Sequence, residues 1–193
     1  MYDYFGLPCN MDDLEHPVWI EYNKFKSNNP VELYLGIRNI IEYAKKEKRL
    51  KLALNTTNSF DKSVEDLFKR EKIYELFDYI FDADIMVKHA QSLGTNPKNL
   101  RKPNNYSIQH ITNVLKLNPD YVLHVGDTRT DLGSSLGILN EEGKPLDLRT
   151  IGVTWGFEPR KILEEGFQKE GKNYHFNYII DQVEELIKII KNK

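Results

Sequence analysis

Three short stretches carry side chains whose types suit work on a phosphate. They are Thr57-Asn58, Lys102-Pro103, and Gly126-Asp127-Thr128-Arg129-Thr130-Asp131. A hydroxyl and an ammonium can hold phosphoryl oxygens. Two carboxylates can hold Mg2+, a hard cation that prefers oxygen. Gly126 lets the backbone turn sharply between the apolar run before it and the acids after it. Each stretch alone also has a plainer reading. Thr57-Asn58 suits a turn or a helix cap, Lys102 a solvated loop, and Asp127 with Asp131 a pair of helix-capping acids. His124 lies in an apolar run and reads as a core histidine with a satisfied ring. Arg129 reads as facing solvent or an acid, and Trp155 as either beside the site or an ordinary packing residue. His89, His110 and His175 lack ligand-like spacing, and Cys9 has no activating neighbour.

These groups act together only if the fold brings them together. Ile37, Ile40, Ile41 and Ala44 form one apolar stripe at helical spacing, and Lys45, Lys46, Lys48 and Arg49 suit that helix's carboxyl end. Residues 52–54 read as a short buried strand that ends at Thr57-Asn58. Ser63 and Asp66 resemble a capping box for a helix buried through Val64, Leu67 and Phe68. Residues 73–87 read as a short helix and then a strand, and 91–105 as a polar loop. Ile108, Ile111, Val114 and Leu115 mark another helix over 105–116. Residues 121–125 form a strong strand cut by Gly126, with a short helix over 131–138 and a polar insertion over 140–145. Strands follow at 150–153 and 178–180. The last helix buries Val183, Leu186, Ile187 and Ile190, with Asp181 as its expected cap.

Strands and helices therefore alternate over residues 31–193. That predicts parallel βαβ units in an α/β fold, a three-layer Rossmann-like parallel sheet with helices on both faces. In such sheets the residues after the strands meet in one crevice at the carboxyl ends. Residues 1–30 are different: aromatic and acidic, without a clean period, and closed by Ser27-Asn28-Asn29-Pro30.

Composition narrows the classes further. The chain has 193 residues, enough for one domain with a real core, and 40% are apolar and 29% charged, which indicates a globular chain. The formal net charge of −2 offers no general footprint for nucleic acid. No stretch approaches the roughly 20 apolar residues of a membrane span, and the first residues do not read as a signal peptide. One cysteine forms no internal disulfide and fits a cytoplasmic setting.

The order Thr57-Asn58, Lys102-Pro103, then Gly126 to Asp131 resembles motifs II, III and IV of the haloacid dehalogenase-like (HAD) superfamily. Gly152-Val153-Thr154-Trp155-Gly156-Phe157 and the closing Tyr178-Ile179-Ile180-Asp181 with Leu186 are similar to its phosphoglycolate phosphatase-type branch. The resemblance implies a HAD-like core over 31–193 and makes residues 1–30 the remnant of a cap. It also implies Mg2+-dependent hydrolysis of a small phosphomonoester. In that family an Asp nucleophile forms an aspartyl-phosphate, and a second Asp two residues later protonates the leaving group and activates water. Carried over, Thr57 and Asn58 would bind the phosphoryl group and Lys102 would neutralise charge beside it. Asp127 would ligate the metal, and Asp131 would complete its shell directly or through water.

The family's first motif, a strand followed by Asp-x-Asp-Gly-Thr, has no match in residues 1–30. The one Asp-x-Asp is Asp82-Ala83-Asp84, and it lacks the following Gly-Thr. As a catalytic pair it would require a permuted strand order; the plainer reading is a strand end with solvated acids. With only Asp127 and Asp131, Mg2+ is expected to bind weakly. The sheet is also expected to lack a strand, a place that residues 1–30, a rearranged sheet, a second copy or a partner chain could fill. Two functions follow: a phosphomonoester hydrolase, or a non-catalytic HAD-like module that binds a phosphorylated ligand or a protein.

Overall fold

The computed structural model describes residues 17–28, 32–48, 50–57, 62–116 and 122–192. Its parallel strands form two groups. Strand β1 (Ala53–Asn55) pairs with β2 (Tyr79–Phe81), and β3 (Val122–Gly126) pairs with β4 (Leu148–Val153), which pairs with β7 (Tyr178–Ile180). Strands β5 (Phe167–Lys169) and β6 (Lys172–Tyr174) make a separate antiparallel hairpin. The expected α/β architecture with parallel strands and helices on both faces is what the chain adopts.

Period-two alternation assigns the two faces. Ile151 and Val153 of β4 and Ile180 of β7 pack with Ile40, Ala44, Leu186 and Ile190, so α2 (Ile37–Glu42) and α8 (Glu184–Lys191) cover that face. Leu54 of β1 packs with Leu67 and Phe68 of α3 (Lys62–Arg70). On the opposite face Phe81 joins Met86 and Ala90 of α4 (Ala83–Ser92) and Ile111 of α5 (Tyr106–Val114). Leu132 of α6 (Arg129–Ser134) and Leu163 of α7 (Arg160–Glu165) pack with Phe176. Helix α1 (Pro17–Asn28) lies in the aromatic N-terminal segment and leaves Ile20 and Phe25 exposed.

Several local details depart from the sequence reading. Helix α3 starts at Lys62, one residue before Ser63. Helix α8 begins after Val183 rather than at Asp181. Asp181 instead receives Arg160 at 2.7 Å and the Thr154 hydroxyl at 2.8 Å, an ion pair that outcompetes the cap. The loop expected over 91–105 contains the end of α4 and a 3-10 turn at Pro97–Leu100. Helix α2 continues as a π-helical turn, Tyr43–Glu47.

Candidate active site

The site is built where β3 ends. Thr128 caps α6, and Asp131 completes a reciprocal capping box: the Thr128 side chain accepts from the Asp131 amide, and Asp131 Oδ2 accepts from the Thr128 amide at 3.0 Å. The same Oδ2 also takes the Thr128 hydroxyl at 2.8 Å and the Asp127 amide at 3.2 Å. Asp131 Oδ1 takes Lys102 Nζ at 2.6 Å, and Lys102 also donates to the Asn55 carbonyl at 3.0 Å. One ammonium thus ties the last residue of β1 to the helix that follows β3.

Asp131 is only 4% exposed. Burial pushes its pKa up, but the Lys102 ammonium, its hydrogen bond and the Thr128 hydroxyl outweigh that and hold it below the usual carboxylate range. Gly126 is required by this packing, because a Cβ there would overlap the Asp131 side chain. Behind Asp131, the His124 ring hydrogen-bonds the Ser135 hydroxyl, and both Ser134 and Ser135 donate to the Asp131 carbonyl. Burial lowers the His124 pKa to about 4, so the ring is neutral at pH 7. His124 is the satisfied core histidine that the sequence suggested.

Asp127 is held differently. Its Oδ2 accepts from the Phe157 amide at 2.8 Å, and its carbonyl accepts from the Glu158 amide at 3.1 Å. Gly156 permits this clamp, since a Cβ there would collide with Asp127 Cβ. Asp127 Oδ1 accepts no hydrogen bond among the described residues and is the carboxylate oxygen left for another ligand. Thr57 is exposed and lies two residues beyond Asn55, past the carboxyl end of β1. Thus Lys102, Asp127 and Asp131 are directly linked, and Thr57 sits on the strand end that Lys102 touches. Asn58 lies outside the described residues.

Other sequence candidates resolve plainly. Asp82 caps α4 by accepting from the Ile85 amide at 2.9 Å, and Asp84 stands in the first turn of that helix. Asp82 is buried rather than solvated as expected, because the cap draws it in. Arg129 pairs with Glu165 at 3.2 Å and Glu158 at 3.6 Å. Trp155 packs against the α2–α8 cluster. Sequence reasoning missed Asn55 and Phe157. The signal for Asn55 was a lone amide closing an apolar strand. For Phe157 there was none, because it acts through its backbone.

The formal charges are one ammonium against two carboxylates. A phosphate dianion alone would be repelled, and a divalent cation reverses the balance. The donor set fits such an ion only in part. Asp127 Oδ1 is available, while both oxygens of Asp131 are engaged. Among the described residues no three His, Cys, Asp or Glu side chains form a metal cluster.

The family model for haloacid dehalogenase-like hydrolases matches residues 2–138. No protein of curated function matches the sequence significantly. A protein of Clostridium acetobutylicum described as a predicted phosphatase superposes with a TM-score of 0.61 at 19% identity, over 100% of this chain and 75% of its own. A predicted phosphoglycolate phosphatase from Haemophilus somnus gives 0.61 at 19%, over 97% and 71%. A Bacillus subtilis protein described as a HAD-hydrolase bound to magnesium gives 0.54 at 16%, over 90% and 61%. At these identities the likeness is one of fold. The matched family model, spanning well over half of the sequence, shows that the chain belongs to the haloacid dehalogenase-like hydrolases.

Proposed function

We propose that this chain binds the phosphate of a small phosphomonoester at the carboxyl ends of β1 and β3 and serves its Mg2+-dependent hydrolysis. The observation that carries the reading is the Lys102 bridge, from the Asn55 carbonyl at 3.0 Å to Asp131 at 2.6 Å. Lys102 and the exposed Thr57 hydroxyl would hold phosphoryl oxygens, with Asn58 as a further donor. Asp127 would hold Mg2+ through Oδ1, and Asp131 would support it through water. When bound, the ion supplies charge neutralisation at the phosphate. The chain's own residues orient the ester: the capping box fixes Asp131, and the Phe157 amide fixes the Asp127 rotamer. The magnesium in the Bacillus subtilis neighbour supports the choice of ion. Weak affinity follows from one free carboxylate oxygen.

A second reading rests on the acids. Asp82 and Asp84 belong to the start of α4, which supports a module that binds a phosphorylated ligand or a protein without turning it over. Steady-state assay with p-nitrophenyl phosphate and Mg2+, on the wild type and Asp127→Asn, separates the two. Turnover lost in the variant supports hydrolysis. Inorganic phosphate binding without turnover supports the module. Residues 1–30, with α1 and its exposed Ile20 and Phe25, fit a cap remnant beside a core at 31–193. The single cysteine supports a cytoplasmic setting. No helix among the described residues is long and apolar enough to cross a membrane.

A further inference from the structure

Outside the proposed site, two histidines from different helices face each other. The imidazole of His89, in α4, and that of His110, in α5, have centroids 4.4 Å apart at an interplanar angle of 73°. Each is hydrogen-bonded to a tyrosine hydroxyl, His89 Nδ1 to Tyr106 at 3.1 Å and His110 Nε2 to Tyr79 at 2.9 Å. The buried Phe81 ring lies 5.9 Å from the first imidazole and 5.5 Å from the second. Tyr79 and Phe81 belong to β2, so the cluster closes only when both helices are seated on that strand. Within α4 only Met86 and Ala90 are buried, and an element with few buried contacts opens before the whole chain unfolds.

Two neutral imidazoles tolerate this contact. Two imidazoliums do not, because like charges this close repel strongly where water is scarce. Among the described residues neither ring meets a carboxylate by hydrogen bond or ion pair. Tyr79 from β2 and Tyr106 from α5 present hydroxyls, which carry no charge at neutral or acidic pH. Asp82, the cap of α4, lies near Tyr79 and accepts from the Ile85 amide at 2.9 Å. Lys51, before β1, is a further cation, held on the Leu115 carbonyl at 2.7 Å past the end of α5. The 3-10 turn at Pro97–Leu100 contributes Leu100, an apolar side chain. Burial and the neighbouring His89 ring push the His110 pKa below the ordinary imidazole value.

We propose that His89 and His110 form a proton-operated latch between α4 and α5 that regulates the phosphate site. Closed, both rings are uncharged; once the pair gathers charge in mildly acidic solution, α4 separates from α5. A solvated imidazole titrates near about 6.5, so the open form binds protons that the closed form refuses. Opening is therefore favoured as pH falls below about 6.5 and is reversed as pH rises. The change reaches the site in one step. The Phe81 carbonyl accepts from the Thr56 amide at 2.9 Å, and Thr57, the next residue, carries the hydroxyl assigned to the phosphoryl group. When Phe81 loses the two imidazoles packed on it, that hydrogen bond and the position of Thr57 change with it. The effect on hydrolysis rests on the proposed function, and the latch itself does not.

The test uses the full chain without phosphate or Mg2+. Amide hydrogen exchange, expressed as protection relative to the unstructured rate at each pH, is measured from pH 7.5 to pH 5. Residues 83–92 and 106–114 report the two helices, and 148–153 are the reference. The Thr57 amide shift and the ring carbon–proton shifts of His89 and His110 are followed over the same range. Between one and two protons enter on opening, so protection at both helices should fall about tenfold or more per pH unit below pH 6. The reference strand should stay unchanged, and Thr57 should move with the same midpoint. His89→Gln combined with His110→Gln keeps groups that bond the tyrosines, takes up no proton and should flatten every response. Protection that is flat with pH, an equal fall at the reference strand, or a fall retained in the double variant would overturn the latch. So would opening of the helices with the Thr57 amide still. If the double variant does not fold, the wild-type ring shifts decide. Titration in step with the loss of protection supports the latch, and two rings titrating independently near 6.5 with constant protection overturn it. None of these readouts involves turnover, so the latch and the proposed hydrolysis fail separately.

Discussion

Replacing Lys102 with methionine removes one charge and keeps most of the aliphatic stem. In the wild type Lys102 and Asp131 side chains are 15% and 5% exposed and 2.6 Å apart. Taking away one partner of a buried pair costs about 3–5 kcal/mol, because the other charge stays behind. Asp131 keeps three donors on Oδ2, which sets the expectation at the lower end, about 3 kcal/mol. For a chain of this size that lowers Tm by roughly 6–12 °C. The loss must also depend on pH. In the wild type the Asp131 pKa is held down, so its ionised form stabilises the fold above the ordinary carboxylate range. Without Lys102, burial raises that pKa, and protonation relieves the stranded charge as pH falls. The stability gap between wild type and Lys102→Met should therefore shrink from pH 7 to pH 4. Thermal and urea unfolding, followed by circular dichroism across that range, measure it. Lys69→Met, which breaks an exposed pair with Glu65, is the control and should leave Tm essentially unchanged. A Lys102→Met gap that is absent, or equal at both pH values, would refute the electrostatic account of the site.

Three further outcomes follow from the same structure. The His124 pKa falls from 6.5 unfolded to about 4 folded, so its contribution is fully present above pH 6.5 and is lost as pH drops toward 4. Urea titrations of wild type and His124→Gln should show about 3 kcal/mol more acid loss in the wild type over that window. Gly156→Ala forces its Cβ onto Asp127 and should weaken Mg2+ binding roughly tenfold by calorimetry while the far-ultraviolet spectrum is retained. Phe81→Ala empties the centre of the α4–α5 face, where Phe81 is 1% exposed, and should cost about 3–5 kcal/mol in urea unfolding.

Much of the fold was legible because it rests on periodicity. Ile37, Ile40 and Ala44 at helical spacing, and Val122, Leu123 and Val125 around His124 before Gly126, announce a helix and a strand by pattern alone. The hairpin at 167–174 was illegible: between Phe167 and Tyr174 its residues are polar or glycine, and it is held in part by Asn173 donating to the Glu165 carbonyl at 3.0 Å, a contact with no sequence signature. Helix caps were misplaced for a related reason. Asp181 has the composition of a cap, but Arg160, 21 residues away, claims it. At the site, the acids and the lysine were visible as residue types after strands. What positions them was not, because the Phe157 amide and the Asn55 carbonyl are backbone groups that every residue carries.

The most direct test is a titration of the 15N-labelled full chain with inorganic phosphate and Mg2+, followed by amide chemical shifts. The account predicts that Thr57, Lys102, Asp127, Thr128 and Phe157 move together, and move with phosphate only when Mg2+ is present. Shifts confined to some other surface, or a response at Thr57 that leaves Asp127 and Lys102 still, would contradict it.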